Sequence, residues 1–158
     1  HCISSAASDV YKRQDEDFLT GGRLNQENCS INDQEGSHFA ASIYEELISL
    51  PNVKVMTRTT AIGAFDHGIY GLVERVADHL SVPADGQPRQ RLWRVYSQCA
   101  LLCAGATERS IAFENNDRPG IMLAGSVRAY ANRWATAVGD RIAIFTNNDD
   151  AYLSLIHI

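Results

Sequence analysis

From residue 37 onward, apolar positions recur first at helical and then at strand spacing. Phe39, Ile43, Leu47 and Leu50 step by four and three, which places one stripe of a helix over about Ser37–Leu50 against a core. Ser37 supplies a capping hydroxyl at its start and Pro51-Asn52 a stop. Three short strand candidates follow: Val53–Met56, Thr59–Phe65 and Ile69 to about Ala77. Asp66-His67-Gly68 is a turn signal between the last two, so they are expected to pair as a hairpin. A polar loop with Pro83, Gly86 and Pro88 leads to a strand at Leu92–Tyr96. The continuous apolar run Gln98–Cys103 then predicts a strand buried on both faces. Beyond Arg118-Pro119-Gly120, the residues Leu123, Val127, Tyr130, Ala131 and Trp134 share one face of a helix over about Leu123–Ala135. Gly139-Asp140 turns the chain into an apolar strand, Arg141–Phe145. Residues 25–36 are polar and predict a loop. There is no internal repeat and no low-complexity segment.

Composition narrows the class without choosing within it. A chain of 158 residues is long enough for one domain with a real core. Its formal charge of -5 and pI near 5.5 argue against a nucleic-acid partner or an anionic membrane surface. No apolar run approaches the roughly 20 residues that cross a bilayer, so a soluble protein is expected, and no secretory signal is visible. Cys2, Cys29, Cys99 and Cys103 match neither a CxxC redox pair nor a zinc ribbon. In one strand, Cys99 and Cys103 would stand about 13 Å apart, beyond the roughly 7 Å limit for a disulfide. Buried free thiols in a reducing cytoplasm are expected. Residues 1–14 and 153–158 read as a non-native leader and tail, so no chemistry is placed on His1, Cys2 or His157.

Candidate chemistry collects where apolar runs end. Asp15-Glu16-Asp17 followed by Gly21-Gly22-Arg23 is acidic, then glycine-rich. In nucleotide-binding βαβ units, a carboxylate at the tip of the second strand accepts the adenosine ribose hydroxyls and disfavours a 2′-phosphate. Asp15 or Glu16 fits that position, and a solvated acidic turn fits it equally well. The preceding SDVYKRQ makes a poor buried strand. Ala104-Gly105-Ala106 closes the 98–103 run with small residues, which let a backbone approach a pyrophosphate or simply form a tight turn. Asn115 to Pro119 reads as a hydrogen-bonded connector. Thr146-Asn147-Asn148-Asp149 follows the last strand without glycine, so any phosphate contact there uses side chains or another backbone path. Asp66-His67 reads as a turn, and His38 and His79 as surface or capping residues. No HExxH, GxSxG, P-loop or Cys/His metal set occurs, and no catalytic residue is assigned.

Taken together, LPNVKVMTRTTAIGAFDHGIYGLVERVADHL, RLWRVYSQCALLCAGATERSIAFENNDRPGIMLAGSVRAYANR and RIAIFTNNDDAY resemble the alpha subunit of heterotetrameric sarcosine oxidase. The resemblance spans nearly all of residues 15–152, and GATERS…FENNDRPGIM together with FTNNDDAY is its specific part. It implies an α/β fragment of a two-dinucleotide-binding, Rossmann-like FAD/NAD(P)-binding fold with an inserted β-rich segment. Residues 15–120 would be the remainder of the first nucleotide-binding domain, and 121–152 the start of the second. The implied parent enzyme oxidises sarcosine to glycine with formation of hydrogen peroxide. It holds non-covalent NAD in this subunit, FAD in the beta subunit and FMN near their interface. Gamma and delta subunits complete it, and tetrahydrofolate is a co-substrate. By position, Asp15, Glu16, Asp17, Gly21, Gly22, Arg23, Thr60 and Gly105 are implied to contact NAD. Thr60 would touch the adenine edge and Gly105 would lie close to the pyrophosphate. The chain departs from the family at Arg23, where Ser or Thr is more frequent, and at Ser110, where Pro is usual. It also lacks the first glycine-rich loop and the tetrahydrofolate-binding region, so as it stands it is expected to bind NAD weakly or not at all. Two other readings stay open: an FAD-binding subunit of an opine or D-amino-acid dehydrogenase, and a non-enzymatic assembly subunit braced by its nucleotide.

Overall fold

A computed structural model describes residues 11–152; the expected tail 153–158 and most of the expected leader lie outside them. The fold is mixed α/β and divides into two compact units. Within the described residues, one unit comprises 11–20 with 41–103 and the other 21–40 with 104–152.

In the first unit, strand β1 (Tyr11–Gln14) runs parallel to β4 (Val53–Met56), in the register Tyr11↔Val53 to Gln14↔Met56. Parallel neighbours need a crossover, and here it includes helix α1 (Gly36–Ser49). The helix matches the apolar stripe expected of it: Phe39, Ile43 and Leu47 are half-buried, while Leu50 lies just past its end and is exposed. The poor strand-former SDVYKRQ does contribute β1, but all four of its residues are exposed.

Strands β5 (Thr59–Phe65), β6 (Ile69–Arg75) and β7 (Gln90–Tyr96) form a separate antiparallel sheet in that order. The β5–β6 hairpin turns through Asp66–Gly68, where His67 takes φ 61° and Gly68 φ 71°. A side chain at Gly68 would collide with the Ser97 carbonyl, whose amide donates to the Gly68 carbonyl at 2.9 Å, so a glycine is required at this corner. Met56, Thr59, Leu72 and Ala77 form the buried centre of the unit. Trp93 on β7 donates to Glu74 on β6 at 2.7 Å, with the Lys54 ammonium of β4 4.1 Å above its ring. This stack ties the parallel pair to the antiparallel sheet.

In the second unit, residues 25–36 are not wholly loop. A 3₁₀ turn (Gly22–Asn25) precedes a two-residue hairpin, β2 (Ser30–Ile31) with β3 (Gln34–Glu35). Asn32 and Asp33 occupy its left-handed positions (φ 52° and 62°), a backbone choice these side chains tolerate. The expected helix 123–135 is α2 (Ala124–Arg128) continued by a π-helical turn (Ala129–Arg133). Asn115–Pro119 forms hydrogen-bonded turns, with Arg118 N–H donating to Asn115 O at 3.2 Å. Ala40, Val127 and Ala151 are buried here beside Arg128.

Two expected strands are absent among the described residues. Gln98–Cys103 joins no sheet, with Leu101 and Leu102 90% and 89% exposed. Arg141–Phe145 likewise joins no sheet. Apolar runs report a capacity for burial, whereas a strand exists only where a neighbouring backbone completes its ladder. The same correction applies to the thiols: Cys99 and Cys103 are exposed rather than buried, Cys29 is half-buried, and all three are unbridged.

Candidate functional site

The acidic segment leaves β1 at its carboxyl end, where parallel strands present ligand-binding loops. It is fastened to the loop after β4. Asp15 N–H donates to Met56 O at 2.9 Å, Thr59 N–H to Asp15 O at 2.8 Å and Arg58 N–H to Asp17 O at 2.7 Å. The Arg75 guanidinium donates to the Glu16 carbonyl. Asp15 is half-buried and its Oδ1 accepts the Asp17 amide at 3.1 Å; Asp17 Oδ1 accepts the Phe18 amide at 2.7 Å; Glu16 is exposed. Thr60 follows buried Thr59 on β5, so the acidic residues and Thr60 are collected at one edge of the first unit.

Gly21, Gly22, Arg23 and Gly105 belong to the second unit. Gly21 has φ 119°, and a Cβ on it would lie 2.6 Å from that of Ala40, so its missing side chain serves close packing against α1. Gly22 (φ 53°) and Gly105 (φ 70°) face open space where a Cβ would stand, leaving their backbone approachable. Arg23 is engaged by carboxylates. Its Nε donates to Glu27 Oε1 at 2.6 Å and its NH2 to Asp150 Oδ1 at 2.6 Å. Arg128, only 3% exposed, donates to Asp150 Oδ2 at 2.9 Å and to the Asp150 carbonyl at 2.8 Å, and stands 3.6 Å from Glu27. The hydrogen bond from Arg23, then that from Arg128, holds the Asp150 carboxyl below its ordinary range. Asp150 and then Glu27 in turn raise the Arg23 guanidinium. The Arg23–Glu27 spacing of four was open to reading from sequence. The pairing of Arg128 with a residue 22 positions away was not.

Glu108 was also missed. Its carboxylate accepts the Ala124 amide at 3.1 Å and the Gly125 amide at 2.8 Å, closing the start of α2. A Cβ at position 125 would lie 3.0 Å from Glu108 Oε2, so Gly125 makes room for this cap. Beside it, a cavity of about 130 Å³ is lined by Glu108 and Arg109, apolar residues such as Val127 and Ile142, and the Thr146–Asn148 turn. Thr146 Oγ1 accepts the Asn148 amide at 3.1 Å and Asn148 Oδ1 the Asp150 amide at 3.1 Å, which sets the helical turn at 150–152. His38, His67 and His79 are exposed, no group of three metal-ligating side chains gathers among the described residues, and no described helix is long and apolar enough to cross a membrane.

No family model matches the chain. It is 47% identical over 138 residues to sarcosine oxidase subunit alpha of Rhizobium meliloti (strain 1021) and 38% identical over 140 residues to that of Corynebacterium sp. (strain U-96). Each match covers 87% of this chain and 14% of the relative, so the chain spans about one seventh of the length of the curated relatives it matches. A crystal structure of L-proline dehydrogenase from P. horikoshii superposes with TM-score 0.66 over 82% of this chain and 25% of that one, at 21% identity, which establishes a likeness of fold. At the level of the family, the chain matches one segment of sarcosine oxidase alpha subunits.

Proposed function

We propose that this chain is a segment of an oxidoreductase subunit, the NAD-holding alpha subunit of a sarcosine oxidase. The observation that carries the reading is the acidic loop Asp15-Glu16-Asp17 at the carboxyl ends of the parallel pair β1–β4, fastened there by three backbone hydrogen bonds. It is supported by the 47% identity to an alpha subunit. In this reading the carboxylates of Asp15 and Glu16 accept the adenosine ribose hydroxyls and Thr60 borders the adenine. Asp15 suits that role because half-burial and its bond to the Asp17 amide fix its direction. Within the second unit by itself, the open backbones of Gly22 and Gly105 suit contact with a phosphate. In the same unit Gly21 supports its turn through packing on Ala40, and the Arg23 guanidinium is held by Asp150 and Glu27.

NAD is thus a resident group and this segment performs no bond-making step. The oxidation of sarcosine to glycine with release of hydrogen peroxide belongs to FAD and FMN elsewhere in an assembly with beta, gamma and delta subunits, tetrahydrofolate serving as co-substrate. The two-dinucleotide arrangement, with a first domain over 15–120 and a second beginning at 121, is part of the same proposal. The complete subunit tests it: denaturing the purified complex releases stoichiometric NAD. Release of FAD from this subunit instead would assign the segment to an opine or D-amino-acid dehydrogenase.

A further inference from the structure

We propose that Arg58, backed by the Phe18 ring, is a further binding residue whose guanidinium stacks on the purine base of the dinucleotide; this deepens the NAD reading and rests on it. Arg58 occupies the turn between β4 and β5 with φ 52°, in the left-handed region where glycine is the ordinary choice. The turn itself is held by backbone alone. Arg58 N–H donates to Asp17 O at 2.7 Å, and Arg58 O accepts the Arg75 amide at 2.9 Å. Its side chain has one contact, the guanidinium carbon lying 5.5 Å from the centroid of the Phe18 ring. Among the described residues that half-buried guanidinium makes no hydrogen bond and no ion pair, although the loop fastened to its backbone carries Asp15, Glu16 and Asp17. A planar cation left without a carboxylate suits a ligand. Charge selects the class: the three carboxylates of the loop oppose an anion, whereas a neutral aromatic face is attracted to a guanidinium plane. Phe18 is 43% exposed, a large ring kept at the surface beside this cation. Arg58 also stands two residues before Thr60, the residue proposed at the adenine edge, and all of these residues belong to the first unit.

Calorimetric titration of NAD into the complete, nucleotide-stripped subunit tests this with Arg58→Gly. Glycine removes the side chain and suits φ 52°, so the turn is kept and urea unfolding should show no loss of stability. Affinity for NAD should fall about tenfold, the order of one base-stacking contact. The factor should be the same at low and high salt, and the hypochromic change of the adenine ultraviolet band on binding should be smaller in the variant. Unchanged affinity in Arg58→Gly, where the wild type binds NAD stoichiometrically, overturns the assignment and leaves the NAD reading standing. A loss confined to low salt also overturns it, since it would make Arg58 a phosphate contact. A wild-type subunit that binds no NAD overturns the underlying reading and this assignment with it.

Discussion

Gly21 and Asp150 show how single residues carry the second unit. Gly21→Ala forces a Cβ to within 2.6 Å of Ala40 at φ 119°, so a loss of about 2 kcal/mol is expected in urea unfolding. Asp150 sits between Arg23 and Arg128, and its folded carboxyl titrates below its unfolded value. A depressed acid stabilises the fold above its unfolded pKa of about 3.9 and ceases to do so as pH falls through the lower folded value. Unfolding followed from pH 6 downward, through roughly pH 4, should therefore show an acid-side loss that Asp150→Asn removes. Because Asp150 is 39% exposed, solvent screening keeps that increment small. The wild type losing no more on the acid side than the variant would refute the pairing.

Among elements, apolar runs that find a partner inside the chain form the expected strands and apolar runs without one do not. The polar β1, β2 and β3 pair without any such run to announce them. Val53–Met56 and Thr59–Phe65 form with the expected bounds because β1, β6 and local turn chemistry complete their ladders. Gln98–Cys103 carries an equally good apolar pattern and stays exposed for want of a neighbour. Leu101→Lys with Leu102→Lys should accordingly change unfolding free energy by less than about 0.5 kcal/mol while reducing self-association at high concentration. A loss of several kcal/mol would mean that the run is buried after all. Trp93→Ala, which removes the Lys54 stack and the Glu74 bond, should cost roughly 2 kcal/mol in the same assay. Neither pairing could be found by periodicity, because each joins strands through side-chain tips rather than through spacing. The candidate site divides in the same way. The acidic loop and its strand-end position follow from local pattern, whereas the Arg128–Asp150 pair and the Glu108 cap arise from contacts over 16 to 22 residues.

For the molecule as a whole, the NAD proposal stands on what the first unit holds by itself: Asp15, Glu16, Asp17 and Thr60. The chain spans 14% of the length of the alpha subunit it matches, so the proposal is tested on the complete subunit. The acidic loop is the part whose chemistry is specific, since a carboxylate pair reads a free ribose diol and repels a phosphorylated one. Calorimetric titration of NAD into the complete, nucleotide-stripped subunit, wild type against the Asp15→Asn/Glu16→Gln double variant, tests this most directly. Stoichiometric binding that weakens by at least about tenfold in the variant is the predicted result. Equal affinity in the two proteins, or no NAD binding in the wild type, would contradict it.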